Sequence, residues 1–166
     1  MLKSIQILLA IAAYYDYEIW QMDVRTAFLN GFIKETIYMQ QPVGFVASVD
    51  SHKVCKLHRS IYGLKQASRS WNIRFDDAVK SFGFIKNIDE PCVYRKENNN
   101  AITFLVLYVD DILLIGNNVG MLSEAKLWLS NVFFMKDLGE ATFILGIRIY
   151  KDRAKRMIFF PESVLR

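Results

Sequence analysis

Proline, cysteine and histidine are scarce in this chain of 166 residues, which contains three prolines, two cysteines and two histidines. So few prolines, with a hydrophobic content of 52%, exclude a disordered chain and predict one folded domain with a sizeable core. Cys55 and Cys92 lack Cys-x-x-Cys or Cys/His ligand spacing, which argues against disulfides and a structural zinc site. We therefore expect buried free thiols and a reducing compartment.

Long apolar runs are also lacking. A membrane-spanning helix needs about 20 apolar residues, and no stretch approaches that length, so we expect no membrane partner. The apolar run at residues 7–13 could be taken for a signal peptide, but polar residues punctuate it and favour an amphipathic core helix. The formal net charge of +4 is compatible with a polyanionic partner without requiring one.

Two adjacent carboxylates, Asp110 and Asp111, lie between the apolar, β-branched runs at residues 102–107 and 112–115. Burying an ionised group without compensation is costly. A β-hairpin would carry both acids to an exposed sheet edge, where a divalent cation could bind them. The alternative is that both are ordinary turn residues, for which Asp is common.

Asp23 is a third candidate because it lies near the end of an alternating segment, residues 18–24, that predicts a strand. If this strand neighbours the strand of Tyr108, Asp23 and Asp110 meet at one edge of the sheet. Carboxylates from two strands, with phosphate oxygens, can hold two divalent ions roughly 3.5–4 Å apart for metal-assisted phosphoryl transfer. Taken alone, such an Asp is more often a helix cap or a turn residue.

The remaining periodicities complete a fold prediction. Apolar spacing predicts helices over residues 67–82 and 122–133, and a hairpin over residues 92–108. Strands are predicted at residues 36–40, 54–57, 134–139 and 142–150. The order of these elements predicts an α+β fold in which helices pack on one face of an antiparallel sheet.

Four blocks now support a family resemblance. They read QMDVRTAFLNG at residues 21–31, SIYGLKQASRSW at residues 60–71, YVDD at residues 108–111, and DLGE followed by FILGI between residues 137 and 147. Their order resembles the reverse transcriptase of copia-type LTR retrotransposons, most closely plant elements. The resemblance implies a polymerase palm with partial fingers, in which residues 1–166 form a single domain fragment. It also implies RNA-directed DNA polymerase activity, the transfer of a nucleotide from a dNTP to a primer 3′-hydroxyl.

The resemblance assigns roles at the predicted metal site. It implies two Mg²⁺ ions, which Mn²⁺ can replace, bound by Asp23, Asp110 and the backbone carbonyl of Val24, with Asp111 in support. Phe28 would be a steric gate against a ribose 2′-hydroxyl, although it would equally suit a plain core position.

Further contacts are implied outside the acids. Nucleotide contacts would involve Gln66, Tyr108 and Lys136, and nucleic-acid contacts would involve Lys65, Arg69, Arg74, Leu145 and Gly146, the last two in a primer-grip hairpin. The alternatives are a solvated basic helix face, a surface pair between Lys136 and Asp137, and an ordinary core strand at residues 143–146.

The implied partners are a primed RNA or DNA template, dNTPs and the remainder of a Pol polyprotein with integrase and ribonuclease H. The implied location is a cytoplasmic virus-like particle. By this resemblance we expect the family's N-terminal fingers segment, thumb and ribonuclease H to lie outside these 166 residues, and residues 157–166 to diverge from the family pattern. Two other hypotheses stay open: an inactive remnant with weak nucleic-acid binding, and another two-metal palm enzyme such as a nucleotidyl cyclase.

Overall fold

The structure, a computed structural model, describes residues 2–46, 52–144 and 147–159. It divides into two compact units, which we call the sheet unit (residues up to Arg25 and from Ala78 onward) and the inserted unit (Thr26–Asp77). The helices of the described residues are α1 (Leu2–Tyr14), α2 (Ala67–Ser81) and α3 (Val119–Val132). The strands are β1 (Glu18–Val24), β2 (Tyr38–Gln40), β3 (Val54–Lys56), β4 (Ile85–Lys86), β5 (Val93–Asn98), β6 (Ala101–Tyr108), β7 (Asp111–Gly116), β8 (Met135–Glu140), β9 (Phe143–Ile144), β10 (Ile147–Arg148), β11 (Tyr150–Asp152) and β12 (Met157–Phe159).

An antiparallel sheet forms the centre of the sheet unit, with the strand order β4-β5-β6-β7-β1-β8 across its described part. The predicted hairpin between β6 and β7 is confirmed, with Tyr108 opposite Asp111. The condition that the strand of Asp23 neighbours the strand of Tyr108 is not met, because β1 pairs with β7, the other strand of the hairpin. Both edges of β6 are already occupied by β5 and β7, so only the free edge of β7 can accept β1.

Helices cover both faces of this sheet. On one face, Ile5, Leu8, Leu9 and Ala12 of α1 share a buried core with Ile19, Leu113 and Ile115. On the other, a Cβ added to Gly116 would lie 3.3 Å from Cδ2 of Leu122 in α3. The α+β class and the antiparallel sheet are confirmed, but the expectation of helices on one face is wrong. Every residue of β7 after Asp111 is buried, so a single helical layer would leave apolar side chains in water.

Most of the predicted elements are confirmed, with shifted ends. The exception is residues 142–150, predicted as one strand, where β9, β10 and β11 are separate and Ile147 pairs back with Ile144. The β11–β12 hairpin was not predicted. Cys55 and Cys92 are free, as expected, but half-buried instead of buried. No helix in the described ranges is long and apolar enough to cross a bilayer.

The inserted unit combines the β2–β3 hairpin, in which Met39 pairs with Cys55, with the first part of α2. A short 3-10 helix, Ala27–Asn30, precedes Gly31. Gly31 lies so close to α2 that an added Cβ would be 2.8 Å from Cβ of Ser70. Only glycine permits this approach, which fixes the start of the unit against the helix.

Candidate active site

The three predicted acids lie together in the sheet unit. Asp23 is directly opposite Asp111 across the β1–β7 pair, a position in which Cα atoms are about 4.5–5.5 Å apart. Asp110 occupies the hairpin turn immediately before Asp111. All three side chains are half-buried, so the fold brings an early acid and two late ones to one sheet edge.

Backbone contacts hold the hairpin turn in place. The N–H of Val24 donates to the carbonyl of Asp110 at 2.8 Å, which ties the turn to the end of β1. Val109, the first turn residue, has φ of 58°. A β-branched side chain is strained in this left-handed region, where glycine or asparagine is usual. The acid-bearing turn is therefore anchored and strained at once.

The electrostatic environment of Asp111 is unusual for a turn acid. Burial raises the pKa of its carboxyl above the ordinary value, and the charges of Asp110 and Asp23 raise it further. The amide of Gln21 opposes this effect by donating from Nε2 to Oδ1 of Asp111 at 3.1 Å. Among the described residues, the side chains of Asp23 and Asp110 take part in no ion pair. Their negative charge is thus concentrated without an ion pair to either of these two acids in the described part of the chain.

These acids suit a divalent cation by their chemistry. Carboxylate oxygens are the ligands that Mg²⁺ and Mn²⁺ prefer, and a cation would offset the repulsion among the three neighbouring carboxylates. Among the described residues, no group of three or more His, Cys, Asp or Glu side chains is placed so that it could hold a metal ion by itself. Substrate phosphate oxygens complete many two-metal sites. The three carboxylates are therefore the right type of ligand for Mg²⁺ or Mn²⁺, and phosphate oxygens would have to supply the remaining ligands.

Strand pairing also places Lys136 next to the acids. It lies on β8 directly opposite Asp23, and its side chain is exposed. Asp137, its neighbour in sequence, instead forms an ion pair with Lys126, with Nζ 2.5 Å from Oδ2. The register therefore places a cationic side chain beside the acids, and the surface pair between Lys136 and Asp137 is not observed.

In the inserted unit, Phe28 lies in the 3-10 helix and is half-buried. Its ring centroid is 4.8 Å from that of Tyr62. Phe28 contacts Tyr62 but is only half-buried, so part of its ring remains accessible to a ligand.

A groove of about 660 Å³ in the same unit contains Gln66, Arg69 and Arg74, three of the predicted contacts, together with Phe32 and Lys34. Glu35 and Asp77 also line it, which leaves a slight basic excess. Lys65 is exposed but does not line this groove. Leu145 and Gly146 fall outside the described residues, although the flanking strands β9 and β10 pair as a hairpin would.

Sequence reasoning missed two features of these sites. Gln21 contacts Asp111, and a signal for it existed, since Gln21 and Asp23 are two apart on one strand and face the same side. Phe32 has Arg59 over its ring, 4.0 Å from the centroid, and Nη1 of Arg59 donates to the carbonyl of Asn30 at 3.0 Å. That contact depends on a bridge between the backbones of Phe32 and Arg59, which no local pattern indicates.

An antiparallel sheet with an acid-bearing hairpin beside the acid of a neighbouring strand is the arrangement expected of a polymerase palm. A family model described as reverse transcriptase (RNA-dependent DNA polymerase) matches residues 1–160. The chain therefore belongs to the reverse transcriptase family, and the resemblance to copia-type retrotransposon enzymes is confirmed.

Two curated relatives show the setting in which such domains occur. The Retrovirus-related Pol polyprotein from transposon TNT 1-94 of Nicotiana tabacum is 45% identical over 163 residues, covering 98% of this chain and 12% of the relative. The Retrovirus-related Pol polyprotein from transposon RE1 of Arabidopsis thaliana is 36% identical over 144 residues, covering 87% of this chain and 10% of the relative. The chain thus spans about a tenth of each relative's length. No solved structure matches it.

Proposed function

We propose that the sheet unit carries the nucleotidyl-transfer site of an RNA-directed DNA polymerase, which joins a dNTP to a primer 3′-hydroxyl. The observation that supports this most is the convergence of Asp23, Asp110 and Asp111 at one end of the β1–β7 pair, where burial first, and then the charges of Asp110 and Asp23, raise the pKa of Asp111. A site that concentrates three carboxylates at an accessible end of two paired strands is suited to divalent cations. Membership of the reverse transcriptase family supplies the reaction class.

Asp23 and Asp110 would hold the metal ions, and Asp111 and the Val24 carbonyl would complete the protein's ligands. When bound, two Mg²⁺ ions, or Mn²⁺ in their place, would activate the attacking hydroxyl and neutralise charge on the leaving pyrophosphate. Lys136, opposite Asp23, would bind phosphate oxygens of the incoming nucleotide. Gln66, Tyr108 and Phe28 would contact that nucleotide, and Phe28 would select against a 2′-hydroxyl.

The groove of the inserted unit would bind the polynucleotide. Arg69, Arg74 and Lys34 offer cations to phosphates, and the exposed ring of Phe32, fixed by Arg59, offers a face on which an unpaired base can stack. Lys65 would add a phosphate contact at the helix start, and Leu145 and Gly146 would contact the primer. The rest of a Pol polyprotein and a cytoplasmic virus-like particle would be the setting of this activity.

Single-nucleotide incorporation tests the catalytic proposal without requiring processivity. The 166-residue chain is mixed with primed poly(A)·oligo(dT), labelled dTTP and either Mg²⁺ or Mn²⁺, and primer extension by one nucleotide is measured. We expect incorporation that Asp110→Asn abolishes and that the exposed control Asp89→Asn preserves. No incorporation at any Mg²⁺ or Mn²⁺ concentration would favour an inactive remnant, and turnover of free nucleotide without primer would favour a cyclase.

Fluorescence anisotropy with a labelled single-stranded oligonucleotide tests the groove separately, in the absence of divalent ions. Arg69→Gln should weaken binding and reduce the slope of log K against log salt by about 0.7, the value for one lost phosphate contact on a single strand. Lys56→Gln is the matched control, because Lys56 is exposed on β3 and does not line the groove. Equal salt slopes for the two variants would remove the groove from the proposal.

A further inference from the structure

Gln21 makes a contact that the catalytic acids themselves do not explain. On β1 it lies opposite Leu113, whereas Asp23 lies opposite Asp111. Its amide therefore reaches diagonally across the β1–β7 pair to Oδ1 of Asp111, at 3.1 Å. Long side chains can span this diagonal. The hydrogen bond depends on the register of two strands that are remote in sequence.

The surroundings of this contact are otherwise apolar. Gln21, Tyr108 and Asp111 share a small cleft with Ile5, Leu113 and Ile144. The cleft has a volume of about 10 Å³, at the lower limit for a single water molecule. Within the described part of the chain, the amide of Gln21 is the one side-chain donor to the Asp111 carboxylate. Solvent is poorly placed to replace it on this side.

The neutrality of the amide matters as much as its position. A lysine or arginine at this position would hold Asp111 in an ion pair and cancel one of the charges that attract a cation. Glutamine donates a hydrogen bond and adds no positive charge. One oxygen of Asp111 is thereby held at the apolar cleft, and the other is left for a metal ion. Groups that orient metal-binding carboxylates in this way commonly change metal affinity when they are mutated.

We propose that Gln21 is a positioning residue for the metal site, orienting the Asp111 carboxylate through a neutral hydrogen bond. This inference rests on the proposed function of the three acids. Gln21 would set the geometry of the Asp111 carboxylate without contacting the cation. Metal affinity should therefore fall both when the hydrogen-bond donor is removed and when the donor is given a positive charge.

Metal affinity can be measured directly by titrating the 166-residue chain with Mn²⁺ and recording the electron paramagnetic resonance signal of free Mn²⁺ at fixed pH. Gln21→Met keeps the length of the side chain and removes the donor, so we expect affinity to fall about 10-fold. Gln21→Lys keeps a donor but pairs with Asp111, so affinity should fall further. Gln6→Met, an exposed position on α1, is the matched control and should bind as the original chain does.

Thermal unfolding of the metal-free proteins separates positioning from a purely structural role. The proposal expects Gln21→Lys to be at least as stable as Gln21→Met while binding Mn²⁺ more weakly. A hydrogen bond that only stabilised the fold would give Gln21→Lys the better affinity of the two. Mn²⁺ affinity in Gln21→Met equal to that of the original chain would overturn the inference.

A further variant distinguishes this failure from failure of the catalytic proposal. If Asp110→Asn lowers Mn²⁺ affinity and neither Gln21 variant does, the proposed metal site is supported and the proposed role of Gln21 is wrong. If Asp110→Asn binds Mn²⁺ as tightly as the original chain, or if the original chain binds none, the metal site falls and the inference falls with it.

Discussion

Replacing Val109 with glycine should stabilise the protein, because Val109 has φ of 58° in the acid-bearing turn. The left-handed conformation costs a residue with a Cβ about 1–2 kcal/mol. Glycine avoids that cost but loses about 0.5–1 kcal/mol through the greater freedom of the unfolded chain. Val109 is 50% exposed, so removing its side chain loses little buried apolar surface. The net gain should be about 0.5–1 kcal/mol.

Thermal unfolding followed by circular dichroism, without divalent ions, measures this gain. For a chain of this size, 1 kcal/mol corresponds to a shift in Tm of about 2–4 °C, so Val109→Gly should raise Tm by about 1–4 °C. Asn99→Gly is the matched control, since Asn99 occupies the β5–β6 turn with φ of 51° and asparagine tolerates that conformation. Its gain should be smaller. A lower Tm for Val109→Gly, or a gain no larger than that of Asn99→Gly, would refute the strain argument.

Three other perturbations test the fold by chemical denaturation without divalent ions. Burial, with the charges of Asp110 and Asp23, raises the pKa of Asp111. The folded protein therefore loses stability as pH rises from the ordinary pKa of 3.8 through the raised pKa. Asp111→Asn should be more stable than the original chain at pH 7, with no advantage below pH 3.8. Asn118→Ala should cost about 1 kcal/mol, since the Asn118 side chain caps α3; equal midpoints would contradict this. Gly31→Ala should cost about 2–3 kcal/mol through overpacking, because the new Cβ would lie 2.8 Å from Ser70; a neutral effect would show that α2 can shift.

The local elements could largely be predicted from sequence, because their signals are local. The apolar spacing of residues 67–82 predicts α2, and the two β-branched runs around Asp110 and Asp111 predict the β6–β7 hairpin. The placement of helices on both faces was not predicted. A continuous apolar run such as residues 112–115 is compatible with burial on both faces, but the pattern does not say which helix covers which face.

The candidate site was predictable to the level of residue types and family motifs. Asp23, Asp110, Asp111 and Lys136 share one edge because β1 lies between β7 and β8, and a strand's neighbours depend on which edges remain free. The diagonal contact from Gln21 to Asp111 depends further on register, where a shift of one residue would turn the side chain to the other face. The pairing and register of strands that are distant in sequence are therefore the part of the site that could not be predicted.

The central position of β1 has a consequence for biosynthesis. Its partners β7 and β8 begin at Asp111 and Met135, so the ribosome must add most of the domain before either edge of β1 can be paired. At a translation rate of about 5–20 residues per second, the time between the synthesis of β1 and that of β7 is on the order of 5–20 s. During this time the backbone donors and acceptors of β1 have no strand partner. Nascent chains should be vulnerable to misassembly during that interval, and the acids converge only once translation has passed the hairpin that completes them.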